Sequence, residues 1–284
     1  MRWKGRQTSS NIEDRRGSRR MGGAARTGGI GILALVAIGA IFGLDVRPFL
    51  SLVDGGAPQS SSVSYEDNTI DDEMEEFVGV VLNDTETIWT SVFEQSGLTY
   101  TPPVLVLYSG VTRSGCGGAQ AAMGPFYCPN DQRIFLDTDF FRVMEQQLGA
   151  YGEFAKAYVI AHEVAHHVQN SLGVLGQVHK MQARASKVDA NALSVRIELQ
   201  ADCYSGVWAR AVNERYGVLE RGDIESALNA AAAIGDDALQ RAQQGVVVPD
   251  SFTHGTSEQR QRWFFTGFET GDPNACDTFS ARSL

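Results

Sequence analysis

Three of the five histidines lie within six residues, in the segment Y-V-I-A-H-E-V-A-H-H that starts at Tyr158. Residues four apart on an α-helix share a face, so His162 and His166 can both direct an imidazole at one cation. Glu163 is turned by about 100° from His162, which lets its carboxylate reach a water molecule on that cation. This spacing is the H-E-x-x-H motif, in which a metal ion activates water for hydrolysis.

A helix with two solvated histidines and a surface glutamate is the alternative interpretation of the same residues. The positions around His162 and His166 are almost all apolar, however, which favours a buried helix. Burying these polar side chains without partners would cost several kcal/mol. The pattern therefore favours a metal site over an ordinary surface helix.

A catalytic zinc ion needs a third protein ligand and one open position for water. The variant of the motif that places a further histidine six residues after His166 is excluded, because Leu172 stands there. A later and fairly apolar helix offers Glu198 as the third ligand. Asp202, four residues on, can accept the free N–H of a ligating histidine and so fix the orientation of its ring. Two exposed helix acids are the alternative for this pair.

The segments Y-V-I-A-H-E-V-A-H-H-V-Q and E-L-Q-A-D-C-Y-S-G-V-W-A together resemble the bacterial family described as putative neutral zinc metallopeptidases, a membrane-anchored, gluzincin-like group. The segments M-R-W-K-G-R, S-N-I-E-D-R-R and S-F-T-H-G-T-S-E-Q-R-Q-R-W-F also resemble it, so the resemblance covers nearly the whole chain. It implies a zincin-type fold with one zinc ion held by His162, His166 and Glu198. It does not imply a particular substrate.

Two further histidines need separate interpretation. In other gluzincins, a histidine that follows the ligand glutamate stabilises the negative oxygen of the transition state, so the resemblance implies this role for His254. A capping or solvent-exposed histidine is the alternative. His167, next to the second metal ligand, is expected to be structural or to support a ligand.

The expected reaction is the hydrolysis of a peptide bond in a peptide or protein substrate. Glu163 is expected to act as general base on the attacking water. The strand at Arg133–Asp137 is the candidate edge on which an extended substrate pairs.

A non-catalytic periplasmic binding or scaffold module with a structural or vestigial metal is the alternative from another class of protein. A zinc hydrolase acting on a non-protein amide, such as cell-wall peptide, would use the same residues.

An uncharged run, GGIGILALVAIGAIFGL, covers residues 28–44 and is about as long as the shortest helices that cross a bilayer. Eight Arg/Lys against two acids precede it within residues 1–26, so the positive-inside rule places the N-terminus in the cytoplasm. A cleaved signal peptide and a twin-arginine signal are the alternatives. The sequence predicts a basic cytoplasmic segment over residues 1–27, a single-pass anchor in the lipid bilayer of the cytoplasmic membrane over residues 28–53, a flexible linker over residues 54–64 and a periplasmic domain over residues 65–284.

The cysteines and the charge agree with a domain outside the cytosol. An even number of cysteines after the apolar run permits two disulfides. Cys116 and Cys128 bracket a glycine-rich loop and are the expected first pair. Cys203 and Cys276 would then form the second, although Cys203 can also be a buried free thiol. The net charge of −10 argues against nucleic acid as a partner, and no motif indicates an organic cofactor.

Hydrophobic periodicity predicts the elements that must position these residues. Short apolar runs predict strands at Val104–Tyr108 and Arg133–Asp137. The order of strands and helices favours an α+β fold, in which a small mixed or antiparallel sheet is joined to a mainly helical remainder, after one transmembrane helix. Apolar spacings of three, four or seven predict helices over residues 70–97, 153–171, 183–216 and 223–244.

Overall fold

Short apolar runs of the sequence form the strands of one mixed sheet and one hairpin. The structure is a computed structural model that describes residues 1–16, 72–120 and 124–284. Within these ranges the strands are β1 (Ile12–Asp14), β2 (Val104–Tyr108), β3 (Val111–Ser114), β4 (Gly117–Gln120), β5 (Phe126–Cys128) and β6 (Arg133–Asp137). The sheet has the order β1-β2-β6-β5, with β5 antiparallel to β6 and the other pairs parallel. Strands β3 and β4 form the antiparallel hairpin.

Alternation along the strands gives the sheet two apolar faces. Leu105 and Leu107 of β2 belong to the main core, which the helices complete. Val106 and Tyr108 belong to a smaller cluster on the other face, together with Phe135 of β6. Because both faces are buried, β2 and β6 appear in the sequence as continuous apolar runs rather than as alternating ones.

Helices make up most of the rest of the described chain, so the fold is α+β with a small mixed sheet. Serine, threonine and aspartate side chains cap the starts of the helices at 73, 187 and 257, and the last of these starts has a complete capping box. The helices are α1 (Glu73–Gln95), α2 (Asp139–Leu148), α3 (Glu153–Ser171), α4 (Val174–Gln182), α5 (Lys187–Tyr216), α6 (Asp223–Ala233), α7 (Asp236–Gln244) and α8 (Ser257–Thr270).

Two glycines let α5 and α8 touch backbone to backbone. A Cβ atom placed on Gly206 of α5 would lie 2.7 Å from the backbone nitrogen of Phe268. A Cβ atom on Gly267 of α8 would lie 2.9 Å from the backbone nitrogen of Val207. Both distances are shorter than real Cβ contacts, so only glycine fits at either position. This close crossing brings the first turns of α8 next to the middle of α5.

The N-terminal residues are part of the folded domain, although the sequence predicts a separate segment over residues 1–27. Strand β1 pairs with β2 in the register Ile12 with Leu105. Trp3 is 3% exposed within the main core and meets the ring of Phe77 edge-on at 5.4 Å. The sequence separates the two segments because positive charge before an apolar run is typical of a cytoplasmic tail. In the structure Lys4, Arg6 and Arg16 instead face acidic groups of α1 and of its N-cap residue, Asp72.

No helix in residues 1–16, 72–120 and 124–284 combines the length and the apolar character needed to cross a membrane. The predicted anchor over residues 28–53 and the predicted linker over residues 54–64 lie outside the described residues.

Two other expectations differ from the structure. Strand β6 lies between β2 and β5, so the predicted substrate strand Arg133–Asp137 is an internal strand and has no free edge. The helix predicted over residues 223–244 is divided into α6 and α7. The break occurs at Gly235, where an added Cβ atom would lie 2.5 Å from the backbone nitrogen of Ser257, so the chain must turn to admit the start of α8.

Both pairs of cysteines form disulfides. Cys116–Cys128 ties the β3–β4 hairpin to the end of β5. Cys203–Cys276 joins the middle of α5 to the C-terminal tail. Cys203 is therefore not a free thiol, and all four cysteines are paired.

Candidate metal centre

Two helices bring the donor atoms of three side chains to one point. Helix α3 carries His162 and His166 one turn apart, and α5 carries Glu198. Nε2 of His162 lies 3.1 Å from Oε2 of Glu198, and Nε2 of His166 lies 3.6 Å from Oε1. One donor atom from each residue lies within 4.8 Å of the other two. The side chains are between 7% and 19% exposed, so the site is largely screened from solvent.

These separations fit a tetrahedral zinc ion. Nitrogen and oxygen ligands lie about 2.0–2.2 Å from zinc, so neighbouring ligands on a tetrahedron are about 3.4 Å apart. The two histidine–glutamate separations, 3.1 and 3.6 Å, bracket that value. In the described part of the chain, this cluster of histidine, cysteine and carboxylate donors has three members. A structural zinc site normally has four protein ligands, whereas a catalytic site has three and an open position.

Asp202 forms a buried network behind His162. Its Oδ1 lies 2.9 Å from Nδ1 of His162 and accepts a 2.6 Å hydrogen bond from the Tyr158 hydroxyl. Arg260 of α8 donates to both carboxylate oxygens, at 2.8 and 3.0 Å. Burial raises the pKa of Asp202, but Arg260 and His162 outweigh this effect and lower it. An ionised Asp202 keeps one proton of His162 on Nδ1, so Nε2 is the nitrogen that is left to bind a metal ion.

An amide orients the second histidine. Nδ1 of His166 lies 2.9 Å from Oε1 of Gln169. The amide nitrogen of Gln169 donates to the backbone oxygen of Ile197 at 2.8 Å and to Oε1 of Gln200 at 3.1 Å. Because the nitrogen is engaged with α5, the Gln169 oxygen faces His166 and accepts its Nδ1 proton. Both ligand histidines thus present Nε2 to the same point.

The charges around His162 and Glu198 favour a cation between them. Burial alone would lower the pKa of His162, but Asp202 and Glu198 outweigh it and raise that pKa to about 10. Burial would raise the pKa of Glu198, but His166 and His162 hold it well below its usual range. A proton is therefore favoured at the position where a metal ion would bind. Metal binding must displace that proton, so the affinity falls as the pH falls.

Glu163 is a buried carboxylate without a hydrogen-bonded partner in the described residues. It is 8% exposed and lies on α3 between the two ligand histidines. Burial raises its pKa, and the charges of His166 and His162 offset part of this effect. A buried carboxylate that lies near a metal site and makes no hydrogen bond to the described residues is able to exchange a proton with water.

The sequence as a whole decides the family. The model of the family described as "Putative neutral zinc metallopeptidase" matches residues 1–279. The chain belongs to this family. The resemblance based on the two helical motifs is confirmed, and the family description agrees with the donor set found at the candidate centre.

Curated relatives share this sequence over most of their length. The chain is 49% identical over 290 residues to "Uncharacterized protein YpfJ" of Escherichia coli (strain K12), covering 98% of this chain and 99% of the relative. It is 47% identical over 212 residues to "Uncharacterized protein Mb2605" of Mycobacterium bovis (strain ATCC BAA-935 / AF2122/97), covering 71% of this chain and 69% of the relative. No solved structure matches the chain.

His254 lies in a loop that Asp236 holds in place. The carboxylate of Asp236 accepts hydrogen bonds from the backbone N–H groups of residues 253, 254 and 255, at 2.6–3.0 Å, and lies 3.2 Å from Nδ1 of His254. Burial would lower the pKa of His254, but Asp236 and Glu198 outweigh it and raise that pKa. A Cβ atom on Gly255 would lie 3.3 Å from side-chain atoms of Leu199, so the loop packs on α5 beside Glu198. The structure thus places His254 within electrostatic reach of the metal centre.

His167 has a structural position. It is 2% exposed, with Nδ1 3.1 Å from the Tyr127 hydroxyl and Nε2 2.8 Å from the backbone oxygen of Thr101. It thereby connects α3 to β5 and to the segment before β2.

Sequence reasoning missed three side chains that orient the site, namely Gln169, Asp236 and Arg260. Each is far from its partner in sequence or carries no motif, so no spacing rule points to it.

Proposed function

We propose that this protein is a zinc-dependent peptidase in which Glu163 is the general base. The observation that carries the proposal is the convergence of His162, His166 and Glu198. Beside them lies the buried carboxylate of Glu163, which makes no hydrogen bond to the described residues. The family description supports the same reaction class. Three protein donors would leave one position of a tetrahedral zinc ion open, and the Nδ1 atom of each ligand histidine is hydrogen-bonded to Asp202 or Gln169. This arrangement is typical of a catalytic zinc site, whereas a structural site has four protein ligands.

The chemistry follows from the position of each group. Zinc held by these three donors would act as a Lewis acid and lower the pKa of a coordinated water to about 7. Glu163 takes a proton from the attacking water and delivers it to the leaving amine. His254, held by Asp236, donates a hydrogen bond to the negative oxygen that develops on the substrate carbonyl. Asp202 and Arg260 keep His162 in the tautomer that this arrangement requires.

An extended peptide is the substrate that fits the sheet. Strand β5 is the edge strand next to β6, and no further strand pairs with it in the described residues. Tyr127 of β5 contacts the metal helix through His167 and Asn170, at 3.1 and 3.0 Å. A peptide that adds a strand to this edge would therefore pass beside the H-E-x-x-H helix. We assign substrate pairing to β5, in place of β6.

We also propose that the domain works outside the cytosol and that the apolar run within residues 28–53 attaches it to a lipid bilayer. Both disulfides support the first part, because structural disulfides persist in oxidising compartments and are rare in the cytosol. The composition of residues 28–44 supports the second part.

Metal analysis combined with digestion of a general peptide library tests the proposed reaction. We expect one zinc per chain, and cleavage that a chelator abolishes and added zinc restores. Glu163→Gln should bind zinc but lose at least about 10²-fold in turnover, since general-base catalysis contributes about 10²–10⁴-fold. Glu153→Gln is the matched control, because this glutamate lies on the same helix with 47% of its side chain exposed.

Two outcomes would contradict the proposal. Full activity in Glu163→Gln would remove the general base from the mechanism. One tightly bound zinc with no cleavage of any library peptide would favour a non-catalytic module with a structural metal. If only cross-linked cell-wall peptides were cleaved, the reaction class would stand and the substrate would be reassigned.

A further inference from the structure

The N-terminal residues supply the counter-charge of a buried acid in α1. Arg6 donates two 2.6 Å hydrogen bonds to the two carboxylate oxygens of Asp84. The Asp84 side chain is 1% exposed, and Arg6 is the cation that pairs with it in the described residues. A buried carboxylate without a partner is strongly unfavourable. The fold of α1 therefore depends on residue 6.

Backbone and polar contacts extend this dependence along the whole segment. The backbone N–H of Leu105 donates to the oxygen of Asn11 at 2.8 Å, and that of Arg15 donates to the oxygen of Leu107 at 2.7 Å. Asn11 and Ser9 also donate side-chain hydrogen bonds to Glu86 of α1. Strand β1 thus completes one edge of the sheet instead of lying loosely on the surface.

The charge distribution has the same explanation. Lys4 pairs with Glu73, and Arg16 pairs with Asp72, so basic residues before the apolar run face acids at the start of α1. A basic head and an acidic body otherwise suggest two compartments. Lys4, Arg6 and Arg16 pair directly with acids of α1 and of its N-cap residue, so these three basic residues are neutralised within one folded body.

Two segments that share a sheet and a core cannot lie on opposite sides of a bilayer, whose hydrocarbon core is about 30 Å thick. We infer that residues 1–16 and residues 72–284 occupy the same compartment, on the same side of any membrane that the protein contacts. The uncharged run at residues 28–44 lies between these two segments in the sequence. This inference replaces the expectation that the first sixteen residues lie in the cytoplasm and the domain outside it.

Thiol accessibility in intact cells tests the inference on the full chain. All four native cysteines are in disulfides, so one introduced cysteine is the reactive thiol of each variant. Gln7→Cys reports on the N-terminal segment and Gln95→Cys on the domain, because both positions are exposed. Each variant is treated with a membrane-impermeant maleimide before and after lysis, with a permeant maleimide as the control for reactivity.

We expect the two variants to be labelled before lysis to the same fraction, within about twofold. Equal labelling before lysis supports the inference and the proposed extracytoplasmic location. Equal protection until lysis supports the inference and contradicts that location, so the two ideas can fail separately. Labelling of Gln95→Cys before lysis with protection of Gln7→Cys, or the reverse, overturns the inference.

A stability measurement tests the packing independently of any membrane. Arg6→Ala should lower the midpoint of thermal unfolding by about 6 °C or more, because it leaves Asp84 buried without its partner. Lys4→Ala is the matched control, since the Lys4 side chain is 72% exposed and its ion pair should matter little. A variant Arg6→Ala that does not fold also supports the packing. An unchanged midpoint in Arg6→Ala shows that residues 1–16 do not pack on α1 and overturns the inference.

Discussion

Gly206→Ala should damage both stability and the metal centre, although the site lies two turns away. The new Cβ atom would approach the backbone nitrogen of Phe268 to 2.7 Å and the carbonyl carbon of Phe264 to 3.0 Å. Neither contact can be relieved by a side-chain rotation, because both partners are backbone atoms. Helix α8 must therefore move away from α5.

The magnitude follows from two opposing effects. Alanine is better than glycine in a helix by about 1 kcal/mol. Overpacking costs about 1–3 kcal/mol, and more where backbones must separate. Gly176→Ala is the matched control, because Gly176 lies in a helix with no atom within 4 Å of an added Cβ. We expect Gly176→Ala to gain about 0.5–1 kcal/mol and Gly206→Ala to lose about 2–3 kcal/mol, or roughly 4–12 °C in unfolding midpoint.

Thermal unfolding and zinc titration of the purified full-length chain would check this prediction. Because Arg260 lies on α8, its hydrogen bonds to Asp202 should lengthen when the helices separate, and zinc affinity should fall in Gly206→Ala alone. If Gly206→Ala were as stable as Gly176→Ala, the backbone contact between α5 and α8 would be refuted. If only the stability changed, the link from this contact to the metal centre would be refuted.

Asp202→Asn should weaken zinc binding about 10–100-fold in a competition assay with a chelating dye, because it removes the acceptor that orients His162. Burial raises the pKa of Asp84 to about 6 in spite of Arg6. The protonated carboxyl group therefore contributes fully to the stability of the fold below about pH 4, and this contribution is lost as the pH rises through 6. Without Arg6 that pKa rises further, so the loss of unfolding free energy in Arg6→Ala should grow above pH 6, by up to about 1.4 kcal/mol per pH unit between pH 6 and pH 8 in denaturant unfolding. A constant loss over that range would contradict this assignment. Zinc at about 100 times its dissociation constant should stabilise the chelator-treated protein by about 2.7 kcal/mol, and Glu198→Gln should lose most of that gain.

Local periodicity was sufficient to predict the elements that carry the candidate ligands. The strands at Val104–Tyr108 and Arg133–Asp137 and the helix at Glu153–Ser171 have the predicted bounds, because each has an uninterrupted pattern. The four-residue spacing of His162 and His166 predicted one shared helix face. The choice of Glu198 needed the motif as well, since a single helix acid carries no signal of its own.

Long-range contacts account for what the sequence did not predict. Strand β1 has only three residues, and its partner β2 lies far along the chain, so no local pattern marks it as a strand. Gly235 looks like an ordinary helix glycine until α8 is placed against it. The position of β6 inside the sheet depends on β5, another three-residue strand. In each case the partner, rather than the segment itself, determines the structure.

The pairing of β1 with β2 has a consequence for how such a protein could be released from a surface. A single cut anywhere between residues 16 and 72 would break the covalent link but leave Trp3 in the core, Arg6 on Asp84 and the two strands hydrogen-bonded. The two fragments would remain associated as a nicked complex and would dissociate only under denaturing conditions. One proteolytic event between those positions would therefore not shed the first sixteen residues from the domain.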